Sequence, residues 1–437
     1  MVKRLLFPAA VFVLLMALSA CGARKPVTIT MWHNYGGQMQ SAMDSLVDEF
    51  NSTVGKEKGV IVNVTAIAAF KDVEANLRLI ADGEPGAPAM PDITVAYPKT
   101  AMFLAEQDLL APLDNQFTQK ELDAYLPAFI NEGRLPDRKL YVFPIAKSTE
   151  VLFLNRTLFD RFAADTGVTA ESLSTLEGIA AAASRYVEWS GGAAFYTADS
   201  WFNLAIVGMA QKGLAFVSPD SLDTSADAYR ALWNVMLPAA ACGGFAVSES
   251  YSSDLSKTGE IICSTGSTAG ILFYGDSVTY PDNTIEAVAY EVLPYPVLSG
   301  GEKVALQRGA GMAIAKSTDA KERAAAAFLK WFTAPAQNMR FVTGTGYLPV
   351  TNEAFEKNMS EEIDNVENES IRKLLTAAAL MYREYEFIVA PNYEQFDAIS
   401  KEYEAACKQA LRDAHEQLAE GGDAQAVSGA LYEGFMR

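Results

Sequence analysis

The chain has 437 residues, of which 50% are hydrophobic, 11% aromatic and 20% charged. This composition is typical of a folded globular protein, and the length favours two lobes or domains over a single core. Acidic residues outnumber basic ones by 54 to 35, which gives a formal net charge of -19. So acidic a chain is not expected to bind nucleic acid, because the phosphates would be repelled. The two histidines, His33 and His415, offer little material for a zinc site.

The N-terminus has the pattern of an export signal. Two basic residues, Lys3 and Arg4, precede an apolar stretch that is shorter than the roughly 20 residues of a membrane-spanning helix. The motif Leu18-Ser19-Ala20-Cys21 resembles a bacterial lipobox, which predicts a signal peptide at residues 1–20 and lipidation of Cys21. The body is then exported, attached to a membrane by this anchor only, and faces the periplasm or the cell exterior. A plain secretory signal is the alternative.

Strand and helix patterns alternate in the exported body. Apolar residues alternate with polar ones over 27–32, as in a strand, and those between Met39 and Phe50 then recur on one face of a helix. Further strand candidates at 60–69 and 91–96 are each followed by a helical pattern. This alternation predicts an α/β fold whose sheets are covered on both faces.

Neither the cysteines nor the other reactive side chains form a motif that is typical of an enzyme. Cys242 and Cys263 either pair in an oxidising compartment or are ordinary buried thiols, and Cys407 is the remaining cysteine. The sequence contains neither a metal-ligand spacing nor a G-x-S-x-G motif. We therefore predict no metal, no cofactor and no enzymatic activity, although a secreted hydrolase and an adhesive surface lipoprotein stay open as competing classes.

Four segments carry a family pattern when they are read in chain order. They are ITMWHNYGGQ at 29–38, PDITVAYPKTAMFLAEQDLLAPLD at 91–114, YVFPIAKSTEVLFLNRTLFD at 141–160 and AAAAFLKWFTAPAQNMRFVTGTGYLPVT at 324–351. Together they resemble the extracellular solute-binding proteins of ABC importers, in the sugar-binding branch of that family. The resemblance implies two α/β lobes that are joined by a hinge and close on a small solute in the cleft between them.

The resemblance also implies the domain organisation and the partners. It assigns residues 27–147 plus 304–350 to lobe 1 and residues 151–300 plus 353–437 to lobe 2. The implied partners are the small-molecule solute and the membrane subunits of the importer. The receptor itself is expected to be a monomer.

Within this family, the segment Cys263–Ile271 is similar to the serine-rich ligand loop of members that bind glycerol 3-phosphate. The resemblance implies ligand contacts at nine positions: Phe70, Ser148, Trp201, Ser264, Thr265, Gly266, Ser267, Gly309 and Tyr347. The implied solute is a glycerol phosphate or a glycerophosphodiester. Two alternatives stay open, namely that the loop is only a strand-to-helix turn capped by Ser or Thr, and that Trp201 does not line the cleft.

Two positions depart from the pattern of these members. Pro98 stands where they have a glutamate, and Asp397 falls at or beside the position of a phosphate-binding arginine. A carboxylate at that position repels a phosphate dianion. A sugar or maltooligosaccharide is therefore the alternative ligand.

Overall fold

The computed structural model describes residues 25–219, 221–391, 393 and 395–435. The predicted signal peptide and Cys21 lie outside the described residues. The strands are Val27–His33 (β1), Val60–Ala66 (β2), Ile93–Ala96 (β3), Glu150–Asn155 (β4), Tyr196–Ala198 (β5), Val217–Ser218 (β6), Ser221–Leu222 (β7), Cys263–Ser267 (β8), Ser277–Thr279 (β9), Ile285–Ala287 (β10), Tyr290–Leu293 (β11), Val304–Gln307 (β12), Gly311–Ile314 (β13) and Glu386–Val389 (β14).

The α-helices are Gln38–Ser52 (α1), Val54–Lys58 (α2), Phe70–Ala81 (α3), Pro98–Glu106 (α4), Gln119–Leu122 (α5), Pro127–Glu132 (α6), Arg156–Thr166 (α7), Leu176–Ser190 (α8), Trp201–Gln211 (α9), Asp227–Ala241 (α10), Ser252–Lys257 (α11), Asp319–Phe332 (α12), Pro335–Thr345 (α13), Met359–Glu362 (α14), Glu369–Glu384 (α15), Phe396–Ala419 (α16) and Ala424–Phe435 (α17). Short 3-10 stretches occur at Leu113–Asn115, Ala170–Ser174, Thr268–Phe273 and Ile363–Asn365, and a π-helical stretch at Ala354–Asn358.

Two four-stranded sheets form the centres of two lobes. In lobe 1 the strand order is β13-β3-β1-β2, with β1 parallel to both β2 and β3, and β13 antiparallel to β3. In lobe 2 the order is β11-β4-β8-β5, in which β5 and β8 are parallel and β4 is antiparallel to both of its neighbours. The α/β architecture predicted from the sequence is confirmed.

The helix patterns of the sequence place the core side chains. In α1, the residues Met43, Leu46, Val47 and Phe50 are all buried, as the 3.6-residue periodicity predicts. The Phe50 ring packs on α12, with centroid distances of 5.2 Å to Phe328 and 5.4 Å to Trp331. In lobe 2, α9 is buried on nearly every side because α10 and α16 cover it.

Three chain segments run side by side where the lobes join, and we call them the hinge segments. Isolated antiparallel bridges connect Lys147 with Leu348 and Ser148 with Arg308. The Thr149 hydroxyl donates to the carbonyl of Leu306 at 2.9 Å. These contacts tie the segment after α6, the segment after β12 and the segment after α13 into one crossing.

The cysteines of the body carry free thiols. Cys242 and Cys263 form no disulfide, so of the two alternatives from the sequence the structure shows unpaired thiols. Cys263 and Cys407 are buried and Cys242 is partly buried. Burial raises the pKa of Cys407 to about 12, which keeps this thiol protonated at neutral pH. Among the helices of the described ranges, none has the length and apolar composition needed to cross a bilayer.

Candidate ligand-binding cleft

Aromatic side chains of lobe 1 lie where its parallel strands end. The carboxyl ends of β1, β2 and β3 meet at one edge of the sheet, as parallel strands require. Tyr35 follows β1, Phe70 begins α3 after β2, and Tyr97 follows β3 directly. Tyr347 joins them from the end of α13, just after Gly346, whose positive φ of 77° suits glycine. We call these four residues the aromatic wall.

The rings of the aromatic wall contact one another in two pairs. Phe70 and Tyr97 meet edge to face with centroids 4.7 Å apart, and Tyr35 meets Tyr347 in the same way at 5.7 Å. Burial raises the pKa of Tyr35 well above its usual value, and the neighbouring Tyr347 and Tyr97 raise it further. The three hydroxyls therefore lie near each other. Tyr97 is 40% exposed, so part of its side chain is accessible to solvent.

An ion pair from the hinge lies beside this wall. The Arg308 guanidinium contacts the Glu150 carboxylate at 2.9 Å, and the amide of Asn203 donates to the same oxygen at 2.7 Å. The positive charge of Arg308 acts to lower the pKa of both Tyr97 and Tyr347, although burial outweighs it and both values are raised. Arg308 therefore connects lobe 2, through Glu150 in β4, with the aromatic wall of lobe 1.

Glu150 and Arg308 differ in their access to solvent. Burial raises the pKa of Glu150, which is 3% exposed, while Arg308 and Asn203 act against that shift. The Arg308 side chain keeps 38% of its surface exposed. Its remaining N–H groups can donate to a hydroxyl or an anionic oxygen of a solute, whereas Glu150 holds it in place.

The N-terminus of α9 in lobe 2 is already occupied by the protein. Glu404 of α16 accepts hydrogen bonds from the backbone N–H groups of Trp201 and Phe202, at 3.2 and 2.9 Å. The Ser200 hydroxyl caps the same helix by accepting from the N–H of Asn203. An internal carboxylate thus takes the place that an anionic ligand often occupies at a helix N-terminus.

The serine-rich segment predicted to bind the ligand forms β8. The Ser264 hydroxyl lies 2.8 Å from the Tyr274 hydroxyl, and that of Thr265 lies 2.7 Å from Tyr196, with both residues buried. Ser267 accepts from the N–H of Ala269 and caps the following 3-10 stretch. The geometry therefore matches the capped strand-to-helix turn that the sequence left open.

Gly266 and Gly309 are glycines for local steric reasons. A Cβ on Gly266 would lie 2.5 Å from a carboxylate oxygen of Asp199, at the end of β5. Gly309 has a φ of 98° and passes close to Lys147 and Ser148 of the neighbouring hinge segment.

Ser148 and Trp201 are both buried in the protein. Ser148 is buried and lines a small apolar cavity with Leu126 and Phe387. Trp201 is 0% exposed, and its ring packs near Phe245 with centroids 6.1 Å apart. In this structure the Trp201 ring has no face open to a solute. Of the nine predicted positions, Phe70 and Tyr347 come together in the aromatic wall.

Four functional candidates escaped the sequence reasoning. They are Tyr35, Tyr97, Arg308 and Glu150, the last as the ion-pair partner of Arg308. The available signals were local: Tyr97 directly follows the strand predicted at 91–96, Tyr35 comes three residues after the one predicted at 27–32, and Arg308 precedes the predicted contact Gly309. Pro98, one of the two departures from the family pattern, is the first residue of α4, a position that proline favours.

An ion pair bridges the two lobes at the rim of the cleft. Lys99 of α4 in lobe 1 contacts Asp397 in the first turn of α16 in lobe 2, with Nζ 2.5 Å from Oδ2. The acid that departs from the family pattern therefore meets a base from the opposite lobe. In the described part of the chain, no group of His, Cys, Asp and Glu side chains could hold a metal ion.

Comparisons with known proteins identify the fold and the family pattern. Residues 45–368 match the family of bacterial extracellular solute-binding proteins. No curated protein shares significant sequence similarity with the chain. The cyclic alpha-maltosyl-1,6-maltose binding protein of Arthrobacter globiformis matches 93% of this chain and 97% of its own, with a TM-score of 0.70 and 20% identity.

Two further solved structures match with the same TM-score of 0.68. An ABC substrate-binding protein from Listeria monocytogenes in complex with cycloalternan shows 18% identity over 94% of this chain and 98% of its own. UgpB from Mycobacterium tuberculosis in complex with glycerophosphocholine shows 16% identity over 94% of this chain and 97% of its own. These similarities confirm the predicted two-lobe solute-binding fold.

Proposed function

Since the chain belongs to the family of bacterial extracellular solute-binding proteins, we propose that this receptor of an ABC importer captures a neutral, polyhydroxylated solute, namely a sugar or an oligosaccharide. One observation supports the proposal most strongly: the aromatic wall lies beside cations that already form ion pairs with acidic side chains of the protein. Glu150 neutralises Arg308, and Asp397 neutralises Lys99. A neutral solute leaves both ion pairs intact.

The aromatic wall provides the main contact surface for such a solute. Sugar rings carry C–H groups on their faces, which pack on aromatic side chains, while their hydroxyls need hydrogen-bonding partners at the edge. Tyr97 offers the exposed ring, and Arg308 offers N–H groups next to it. The Arthrobacter protein with a similar fold is a cyclic alpha-maltosyl-1,6-maltose binding protein, and the Listeria protein was solved in complex with cycloalternan. Both support a sugar as the solute class here.

A glycerophosphodiester is the second candidate, and Arg308 favours it. Its guanidinium is partly exposed, and a phosphodiester carries one negative charge that a single arginine can balance. UgpB, which shares the fold, was solved with glycerophosphocholine. The sequence resemblance ranks this solute first, but the paired charges of the cleft reverse the order. A phosphate monoester such as glycerol 3-phosphate fits least, since its second charge meets no further free cation in the cleft as described.

Titration calorimetry with one panel of solutes tests the proposal. The panel contains maltose, maltotriose, a cyclic maltooligosaccharide, glycerophosphocholine and glycerol 3-phosphate. We expect a sugar to bind with a Kd in the micromolar range, about -8 kcal/mol, and to reduce the radius of gyration measured by X-ray scattering. Binding of glycerophosphocholine alone would select the second candidate, and silence of the whole panel would remove both.

We also propose that the exported chain carries a lipid on Cys21, which supports attachment to a membrane face. Incorporation of labelled palmitate into the wild-type chain, and its loss in Cys21→Ser, is the expected result. Cys242→Ser is the matched control, because Cys242 belongs to the folded body. Release of unlabelled wild-type protein into the soluble fraction would instead indicate a plain secretory signal.

A further inference from the structure

A groove lies on lobe 2 between the edge of its sheet and a helix. Strand β11 forms one side and helix α15 the other, and the groove has a volume of about 890 Å³. Its lining includes Arg156, Val292, Arg372, Leu380 and Arg383. None of these residues belongs to the aromatic wall, the hinge segments or the Lys99–Asp397 pair, so the groove is separate from the cleft.

Strand β11 is an edge strand whose outer side faces this groove. It pairs with β4 on one side, and no described strand pairs with the other. The N–H of Arg156 donates to the carbonyl of Ala289, and the N–H of Asn155 points the opposite way, to the carbonyl of Ile262 just before β8. Because hydrogen bonds alternate along an antiparallel pair, the N–H and C=O of Val292 point outwards into the groove.

One group already uses this free edge. Lys373 of α15 donates from Nζ to the carbonyl of Tyr290 at 3.0 Å, which confirms that the backbone of Tyr290 also faces outwards. The Lys373 ammonium group thus occupies the carbonyl of Tyr290, which an added strand would otherwise use as a hydrogen-bond acceptor. The edge groups of Val292, two residues on, remain available for pairing with an extended segment.

The charge of the groove is opposite to that of the protein. Four basic and two acidic side chains line the groove. The basic ones are Arg156, Arg372, Lys373 and Arg383, and the acidic ones are Glu291 and Asp364. The formal net charge of the whole chain is -19. Arg156 pairs with Glu291 and Asp160, and Lys373 pairs with Glu369. No ion pair is found for Arg372 or Arg383 among the described residues, although the Glu369 carboxylate lies near enough to Arg372 for this cation to help lower its pKa. Both guanidinium groups can therefore still pair with a partner.

The spacing of the two free arginines indicates an extended partner. Eleven residues separate them on α15, which is about 16 Å along a helix and brings both to the same face. Two cations this far apart cannot bind one small anion together. A strand of about five residues covers the same distance at roughly 3.3 Å per residue. Leu380 lies between them on the helix and is 40% exposed, which provides an apolar contact in the middle.

We propose that this groove binds an extended acidic segment of a partner protein, which adds as a strand to β11. Acidic residues at the ends of the segment pair with Arg372 and Arg383, and an apolar residue between them packs on Leu380. The segment's backbone bonds to Val292. Residues 1–24 of this chain contain no acid, so they do not have the chemistry of this occupant.

Fluorescence anisotropy with a synthetic peptide tests the proposal on the full-length receptor. The probe is a labelled, acetylated peptide of sequence Glu-Thr-Val-Thr-Asp, in which both acids and the valine lie on the same face of a strand. It is compared with Lys-Thr-Val-Thr-Lys and with a version of the first peptide that is N-methylated at the central residues. We expect only the first peptide to bind, with a Kd of about 10–100 μM, since the interface is small. Equal binding of all three peptides, or of none, would overturn the proposal.

Paired variants identify the site on the protein. Arg372→Glu with Arg383→Glu is expected to weaken peptide binding at least tenfold. Arg185→Glu with Arg323→Glu, at exposed arginines elsewhere, is the matched control and should leave it unchanged. Hydrogen exchange of the Val292 N–H should slow when the peptide is added, whereas unchanged exchange would exclude strand addition. A second outcome would also contradict the proposal: the wild-type protein binds phosphatidylglycerol vesicles but not the peptide, and the Arg372→Glu/Arg383→Glu variant no longer binds the vesicles. The groove would then be a lipid contact.

Discussion

Lys99 and Asp397 join the two lobes although 298 residues separate them in the chain. The Lys99 side chain is largely covered, whereas that of Asp397 is mostly exposed. Exposed ion pairs contribute only about 0–1 kcal/mol to stability. Open and closed forms of a hinged receptor differ by only a few kcal/mol, however, so a bridge of this strength changes their populations noticeably.

Reversing the charge of Lys99 should open the cleft. In Lys99→Glu, two carboxylates face each other at the rim and repel. We expect a larger radius of gyration in X-ray scattering of the solute-free protein and a Kd for its solute that rises about three- to tenfold, which corresponds to roughly 1 kcal/mol. The double variant Lys99→Glu/Asp397→Lys restores the pair with its charges exchanged and should recover both values.

The control for this experiment is an ion pair of the same length within one lobe. Lys316 contacts Asp108 at 2.5 Å, and both residues belong to lobe 1. Lys316→Glu should therefore leave the radius of gyration and the Kd unchanged. If the double exchange at Lys99 and Asp397 fails to recover the wild-type values, the bridge does not control closure.

This ion pair also shows why part of the site escaped the sequence reasoning. The face of α1 from Met43 to Phe50 followed from periodicity, because a local repeat decides which side of a helix is apolar. A contact between positions 99 and 397 depends instead on how two lobes meet. No local pattern contains that information.

The hydroxyls of β8 illustrate the same difference within one lobe. Residue types alone make Ser264 and Thr265 good ligand contacts. Their actual partners are Tyr274 and Tyr196, which lie 10 and 69 residues away in the chain. Burial of those tyrosines creates a need for hydrogen-bonding partners, and the strand hydroxyls satisfy it. The position of Trp201 depends on tertiary packing in a similar way, since Ser200 caps α9 while the ring lies in the core.

Tyr97 should contribute more to solute binding than any other residue of the aromatic wall. Tyr97→Ala removes the exposed ring and is expected to weaken binding about 10- to 100-fold, or roughly 1.4–2.7 kcal/mol. Tyr97→Phe keeps the ring and should cost less than tenfold. Trp189→Ala is the control, because Trp189 has the same 40% exposure but lies at the end of α8. Calorimetry that shows equal losses for Tyr97→Ala and Trp189→Ala would contradict the assignment.

Glu150 should make stability depend on pH in a defined direction. Its pKa is raised in the folded state, chiefly by burial. A raised pKa of an acid stabilises the fold below the unfolded-state value of 4.5, and this contribution disappears as the pH rises through the folded-state value. At neutral pH the buried carboxylate therefore opposes folding, and Arg308 and Asn203 compensate only in part.

Replacing Glu150 by glutamine tests this sign. Urea unfolding should show that the stability of Glu150→Gln relative to wild type increases from pH 4 to pH 7.5, because wild type alone has to ionise a buried carboxyl over this range. Solute binding should weaken, since Arg308 loses its anchor. Glu291→Gln, at a more exposed acid 2.9 Å from Arg156, should show no such trend. A difference that grows towards low pH would reverse the argument.

The hinge contains a buried ion pair whose rupture should destabilise the whole protein. Lys147 contacts Glu132 at 2.6 Å, and both side chains are buried. Lys147 also donates to the carbonyl of Gly309 in the neighbouring hinge segment. Burial lowers the pKa of Lys147, and the attraction of Glu132 opposes that shift. Each charge is therefore tolerated because the other is present.

Lys147→Met leaves the Glu132 carboxylate buried without its partner, which should reduce the free energy of unfolding by about 3–5 kcal/mol in urea titrations. The double variant Lys147→Met/Glu132→Leu removes both charges and should regain most of that loss. Lys139→Met breaks an exposed pair with Asp137, 3.8 Å apart, and should change stability by less than about 0.5 kcal/mol. If the single and double hinge variants are equally stable, the unpaired Glu132 carboxylate is not what destabilises Lys147→Met, and the argument from a coupled pair fails.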